Sequence, residues 1–300
     1  MIQRSVKKRA YANKLLQNMM KKIEEQGAFI KRQQLEIEAL TKSINENEVK
    51  HLEAFKDLKN QIRGRNIKDE LTVLWQMQRV RALHSTVFPR FKNINAGKDV
   101  VIVTTGPSLN DYQFIDGAIH IGVNKSFKAE NINLDYLFMQ DYVATHNYIE
   151  ESFPYKNEKL IRFYGIEPYD KAPRFIIPES VAIRHGALRY YTHPTVADSP
   201  ELPDCFGFDL TSEELYGKGS TVFAAINFAL WTNPKCIYLV GCDCSELGHF
   251  YAMDNTIACQ TLIQHYTLLK KFVSEHYPET EIISINPVGL KGMFKDIYTI

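Results

Sequence analysis

The residues able to do chemistry sit where apolar runs stop. Asp99-Val100-Val101-Ile102-Val103 runs into Thr104-Thr105-Gly106-Pro107-Ser108. Gly106 admits a close neighbour at the backbone, Pro107 fixes one dihedral, and Ser108 can cap a following helix while neighbouring amides turn outward, the makings of a phosphate cradle. The spacing fits neither G-x-G-x-x-G nor G-x-x-x-x-G-K-[ST]. Two further apolar runs, 118–123 and 134–139, end in Asn124 and in Gln140-Asp141. Polar side chains at the C-terminal ends of parallel strands face the ligand crevice of an open α/β sheet, so Ser108, Asn124, Gln140 and Asp141 are expected to converge. Gly217-Lys218-Gly219-Ser220-Thr221 then opens an apolar helix, a second helix start with amides for an anion, and adds Gly219, Ser220 and Thr221 to the candidate set.

Metal chemistry comes into question at two places. Cys242-x-Cys244 puts two thiols on one face of an extended segment with His249 five residues on; a closed zinc site takes a fourth ligand that the segment lacks, so no metal site is assigned. Asp141 is the residue that would hold Mg²⁺ to a diphosphate. The five cysteines (205, 236, 242, 244, 259) are an odd number in a chain large enough to need no staples. They are read as reduced thiols in a cytoplasmic protein.

A sheet has to position these groups. β-Branched runs without polar alternation suit strands buried on both faces of a parallel α/β sheet. Strands are expected at 99–103, 118–123, 134–139, 236–240 and 281–285, with candidates at 160–164 and 181–184 inside an irregular Pro- and aromatic-rich insert spanning 150–216. Helices are expected at 68–83, with Leu71, Leu74, Trp75 and Val80 on one face, at 222–231, and at 255–276. The fold class is therefore α/β, a Rossmann-like mostly parallel domain over 95–300 preceded by a helical segment over 1–94.

That segment carries Leu16, Ile23, Ile30, Ile37 and Ile44 at intervals of seven, skips at His51 and resumes at Leu58, with no proline between. The pattern is a coiled-coil seam that would make a homo-oligomer, the alternative being a helical hairpin broken at Gly27 and Gly64. Residues 1–100 hold 21 Lys/Arg against 11 Asp/Glu, and 101–300 hold 15 against 24, a swing from +10 to −9. The basic half is read as docking on acidic surfaces, with peripheral contact at the inner membrane face allowed and no nucleic-acid partner assigned. No apolar run reaches the length of a membrane span, and the basic first twenty residues lack the apolar core of a secretion signal.

Taken in order, Thr104-Thr105-Gly106-Pro107-Ser108-Leu109, a strand ending at Asn124, Gly219-Ser220-Thr221 before an apolar helix, and Ile237-Tyr238-Leu239-Val240-Gly241-Cys242-Asp243 make residues 98–290 resemble bacterial sialyltransferases of glycosyltransferase family 42. The wider group of motility accessory factors and archaeal hydroxymethylpterin diphosphokinases is similar too. The resemblance implies that Gly106, Pro107 and Ser108 hold the cytidine monophosphate part of a donor, that Asn124 and Gln140 stand where the family has nucleotide-contacting asparagines, and that Asp243 closes the matching Ile-Tyr-Leu-x-Gly-x-Asp segment. Thr105 replaces a family Asn. Continuing without a gap sets one phosphate-binding tyrosine of the family on Tyr251 and the other on Ser245. The family's general-base His has no direct counterpart, and His249 is the nearest candidate, with His265 next.

The implied function is an inverting glycosyltransferase of polysaccharide biosynthesis, without a bound cofactor, taking a nucleotide-sugar donor, CMP-linked by preference, and a glycan or protein acceptor. Two alternatives stand beside it: a Mg/ATP diphosphotransferase of the hydroxymethylpterin kind, and a non-catalytic nucleotide-binding scaffold in surface-glycan assembly.

Overall fold

The structure is a computed structural model of the chain that describes Lys31, Gln34, Leu35, Ile37 and Lys42 and residues 67–130, 132–140, 146–155, 159–166, 177–192, 206–217, 220–251 and 259–299. Two units divide it, Met1–Leu71 and Thr72–Ile300. In the first, Lys31, Gln34, Leu35, Ile37 and Lys42 are helical, with Leu35 and Ile37 exposed. The rest of the expected seam lies outside the described residues, as do Asp141 and Gly219.

Eight strands form one sheet: β1 (Asp99–Val103), β2 (Ile119–Val123), β3 (Tyr136–Met139), β4 (Ile161–Ile166), β5 (Leu188–Tyr191), β6 (Cys236–Val240), β7 (Glu281–Ile285) and β8 (Lys295–Ile297). All neighbours are parallel, in the order β5-β4-β3-β2-β1-β6-β7-β8. This is a Rossmann-like α/β sheet. The chain lays down β1 to β5 in one direction and then crosses back to place β6 on the other side of β1. The strand order therefore reverses between β1 and β6, where open α/β sheets leave their ligand crevice.

The helices are α1 (Ile67–Val87), α2 (His146–Ser152), α3 (Glu179–Arg184), α4 (Thr221–Trp231) and α5 (Cys259–His276). Every residue of α4 is buried, which its sequence TVFAAINFALW allows because no side is polar. It packs with Phe88, Phe91, Phe138 and Phe163 on one face of the sheet; Phe228 stands 4.9 Å from Phe163 and 5.3 Å from Phe138. A helix joining two parallel strands runs back along them, so the N-terminus of α4 lies at the C-terminal edge of the sheet. Val101, Val103, Leu109, Phe127 and Leu137 pack on the other face, where the links from β1 to β2 and from β2 to β3 begin with short 3-10 turns, Pro107–Asp111 and Asn124–Lys128. No described helix is long and apolar enough to cross a membrane.

Several sequence expectations are corrected. Residues 181–184 are helical, within α3, because Pro178 and Glu179 favour a helix start over the strand tendency of Val181 and Ile183. Ser108 does not cap an α-helix; it stands inside a 3-10 turn whose N-cap is Gly106. On α1 the buried face is Gln76, Val80, His84 and Val87, and Trp75 is 60% exposed. That face holds two polar residues, so hydrophobic spacing misjudges it. Within 150–216 the described residues supply β4 and β5, which extend the same sheet.

His84 makes α1 sensitive to acid. Its Nδ1 lies 2.8 Å from the Glu213 carbonyl and its Nε2 accepts the Tyr191 N–H at 2.8 Å, so the neutral ring with hydrogen on Nδ1 satisfies both. Burial brings its pKa down from 6.5 to about 4, against the opposing pull of the Glu213 and Leu210 carbonyls and the Glu214 charge. The unfolded chain thus binds this proton below pH 6.5 while the folded chain resists it until about pH 4. Stability is full above that window and falls on acidification. From pH 7 to pH 5 the expected loss is about 2 kcal/mol, roughly 5 °C in melting temperature for a unit of this size. Burial lowers His120 and His185 as well, in the same direction. Thermal melts at the two pH values test this; equal midpoints would contradict it.

Candidate functional site

At the switch point the loops after β1 and β6 are tied to each other. Gly106 N–H donates to the Gly241 carbonyl at 2.8 Å, and Ser108 donates its N–H to Asp243 Oδ2 at 2.9 Å and its hydroxyl to Oδ1. Asp243 is 4% exposed, and its carbonyl accepts the Gly289 N–H at 2.7 Å. Burial raises its carboxyl above the ordinary range, with the two Ser108 hydrogen bonds pulling it back. The space beside Gly106 is filled by the chain itself: a Cβ there would lie 2.3 Å from the Gly241 oxygen and 2.5 Å from Asp243 Oδ2. Gly106 has an extended backbone at φ −67°, so it is glycine for room and not for conformation. Ser108 and Asp243 form a latch that fixes the Gly-Pro-Ser turn.

Over this latch folds the loop 245–251. Phe250 N–H donates to the Thr105 carbonyl at 2.8 Å, and His249 Nδ1 lies 2.9 Å from Thr105 Oγ1. His249 and Tyr251 stack with ring centres 5.1 Å apart at 13°. Lys125 Nζ stands 4.6 Å over the Tyr251 ring. An imidazole, a phenol and an ammonium are thereby gathered above the ends of β1 and β2. Ser245 turns to the start of the same loop, where its hydroxyl takes the Leu247 N–H at 3.4 Å.

Along the neighbouring strand ends stand two amides. Asn124, first after β2, adopts φ +50°, a conformation Asn tolerates better than most residues. Its Oδ1 is buried without a hydrogen-bond partner among the described residues. Gln140, first after β3 and 3% exposed, donates from Nε2 to Thr192 Oγ1 at 3.2 Å and to the Gly217 carbonyl at 3.3 Å, while its Oε1 also lacks a partner among the described residues. A buried acceptor left unmet costs about 1–3 kcal/mol. Two such oxygens stand on adjacent strand ends, where any donor brought to them would relieve that cost. Ser220 caps α4 through its own side chain, taking the Val222 N–H at 3.4 Å, and Thr221 is buried in the first turn. The α4 start is thus joined to Gln140 through Gly217, two strands along the edge from Gly106, about 10 Å by strand spacing.

Gly106, Pro107, Ser108, Asn124, Gln140, Asp243, Ser245, His249 and Tyr251 accordingly share the C-terminal edge of the sheet. His265 is separate: on α5, its Nδ1 meets the Tyr216 hydroxyl at 2.6 Å. Cys242 is a free thiol pushed up to about 11 by burial, which suits packing. No group of three or more metal-ligating side chains occurs among the described residues. Sequence reasoning missed the parts played by Thr105 and Lys125. The signal for Lys125 was its place directly after Asn124; Thr105 meets His249 across 144 residues, and no local pattern announces that.

No protein-family profile matches the chain, and no curated protein does. Among solved structures it is similar to the MAf glycosyltransferase from Magnetospirillum magneticum AMB-1, with 12% identity over 73% of this chain and 38% of that one and a TM-score of 0.41. The chain thus spans well under half of that protein's length. Likeness at that level fixes neither activity nor substrate.

Proposed function

We propose that the chain is a glycosyltransferase that binds a nucleotide-linked sugar, CMP-linked by preference, at the C-terminal edge between β1, β2 and β6. The observation that carries this reading is the His249, Tyr251 and Lys125 group next to Asn124, whose buried Oδ1, like Gln140 Oε1 one strand along the edge, meets no donor among the described residues. Ribose hydroxyls and a base amine are donors that answer such oxygens, and a phosphate suits the phenol and ammonium. The order of motifs shared with the sialyltransferases supports the choice of CMP.

In this mechanism an acceptor hydroxyl oxygen attacks the anomeric carbon as the bond to the phosphate oxygen breaks, inverting the centre. His249 takes the acceptor's proton. With Nδ1 donating to Thr105 Oγ1, Nε2 is the nitrogen that receives it. Tyr251 donates to the departing phosphate and Lys125 offsets its charge, the kind of electrostatic stabilisation that dominates such steps. The Ser108–Asp243 latch fixes the turn that this edge is built on.

A thermal-shift panel of CMP, CDP, UDP, GDP, ADP and ATP, with and without Mg²⁺, tests the reading. CMP is expected to stabilise the protein without metal, by about 2.7 kcal/mol at a hundredfold excess over Kd. A shift confined to ATP with Mg²⁺ would replace the proposal with diphosphotransfer, and no shift with any nucleotide would overturn nucleotide binding at this edge altogether.

A further inference from the structure

Next to the catalytic loop lies a cleft of about 410 Å³ that the mechanism above does not use. Its walls are Asn110, Tyr112 and Phe114 from the link between β1 and β2, Lys128 and Glu130 from the link between β2 and β3, and Phe250. The size falls within the roughly 300–1,000 Å³ of small-molecule sites. Phe250 joins it to the chemistry, since the residues on either side are His249 and Tyr251 and its own N–H is held by Thr105.

Phe114 is the telling residue. The residue is 47% exposed, yet its ring lies flat on the buried His120 ring at 4.6 Å and 5°. His120 is itself held, Nδ1 on the Ala118 carbonyl at 3.1 Å and Nε2 on the Tyr112 hydroxyl at 2.9 Å. An exposed aromatic face is thus fixed in advance, so a ligand stacking on it meets little ordering cost. Around it the cleft offers the Asn110 amide, the Glu130 carboxylate and Lys128, which is paired with Glu151 at 2.5 Å. A pyranose has that complementary make-up, one face of C–H groups and a rim of hydroxyls that donate and accept.

We propose that this cleft binds the saccharide acceptor, with a sugar ring stacked on Phe114 and its hydroxyls met by Asn110 and Glu130. The assignment of the sugar as acceptor rests on the glycosyl-transfer reading. Saturation-transfer NMR on the full chain tests it, with methyl β-galactoside, methyl β-glucoside and N-acetylglucosamine as probes and cytidine as competitor. Ring-proton saturation of at least one saccharide is expected, reduced at least fivefold in Phe114→Ala, retained in Phe114→Tyr, and indifferent to cytidine. Phe114→Leu and thermal melts guard against misfolding, and the CMP-induced shift is expected to be unchanged in all three variants. Saturation of no saccharide by the parent chain, equal saturation in Phe114→Ala, or displacement by cytidine would each overturn the proposal. Should CMP shift the melt while no saccharide binds, the acceptor site falls and the donor reading stands; a saccharide that binds the parent chain but not Phe114→Ala, with no shift by any nucleotide, keeps the cleft and removes the donor reading.

Discussion

Gly106→Ala is expected to lower the melting temperature by roughly 10 °C and to abolish the CMP-induced shift, while Gly117→Ala costs only about 1 kcal/mol. The contrast separates two reasons for a glycine. At Gly117 the backbone is left-handed, φ +75°, with nothing within 4 Å of an added Cβ, so alanine meets conformational strain alone. At Gly106 the backbone suits any residue, and the methyl group would lie 2.3 Å from a carbonyl oxygen and 2.6 Å from Asp243 Cγ. The first neighbour is backbone, and the second is a buried carboxylate held by two bonds from Ser108. Relief requires parting the loops after β1 and β6, which breaks the Gly106 to Gly241 bond and both Ser108 to Asp243 bonds. Overpacking alone costs about 1–3 kcal/mol, and losing the latch raises the total to about 3 kcal/mol or more. Melting curves of the two variants, each with and without CMP, check the order. A Gly106→Ala protein as stable as Gly117→Ala would show that the latch does not hold this edge together.

How far the sequence reached differs by element. Strands β1, β6 and β7 were legible to the residue because runs dominated by Val, Ile and Leu give way abruptly to Thr104-Thr105-Gly106, to Gly241 and to Asn286. By contrast β5, Leu-Arg-Tyr-Tyr, and β8, Lys-Asp-Ile, are short and partly polar, and their strand state comes from docking on β4 and β7. Val181 to Arg184 misled in the other direction, since β-branched residues sit there in a helix whose start is set by Pro178. At the site the same division holds. Asn124, Gln140 and Asp243 were readable as strand-end positions. Their bonding was not: Ser108 meets Asp243 across 135 residues, which turns a supposed phosphate donor into half of a latch. For Gln140 and Asn124 the packing adds that one oxygen of each is buried with no donor among the described residues, which no sequence pattern announces.

The second large effect belongs to Tyr251, and it bears on the proposed chemistry itself. The phenol is stacked on His249 and lies under Lys125, so the ring has packing to do whatever its hydroxyl does. Phenylalanine preserves that packing and deletes only the O–H. If the hydroxyl donates to the phosphate as charge builds in the transition state, its loss raises the barrier by about 3 kcal/mol, on the order of a hundredfold in rate, with little change in ground-state binding. Lys125 stays in place in this variant, and the residual rate reflects its contribution. Turnover of a CMP-linked sugar, CMP-N-acetylneuraminate as the probe, is the measurement to make on Tyr251→Phe beside the parent chain. The expected result is a kcat lowered about a hundredfold with the melting temperature and KM nearly unchanged; equal turnover by the two proteins would contradict a leaving-group role for Tyr251 and with it the glycosyl-transfer site at this edge.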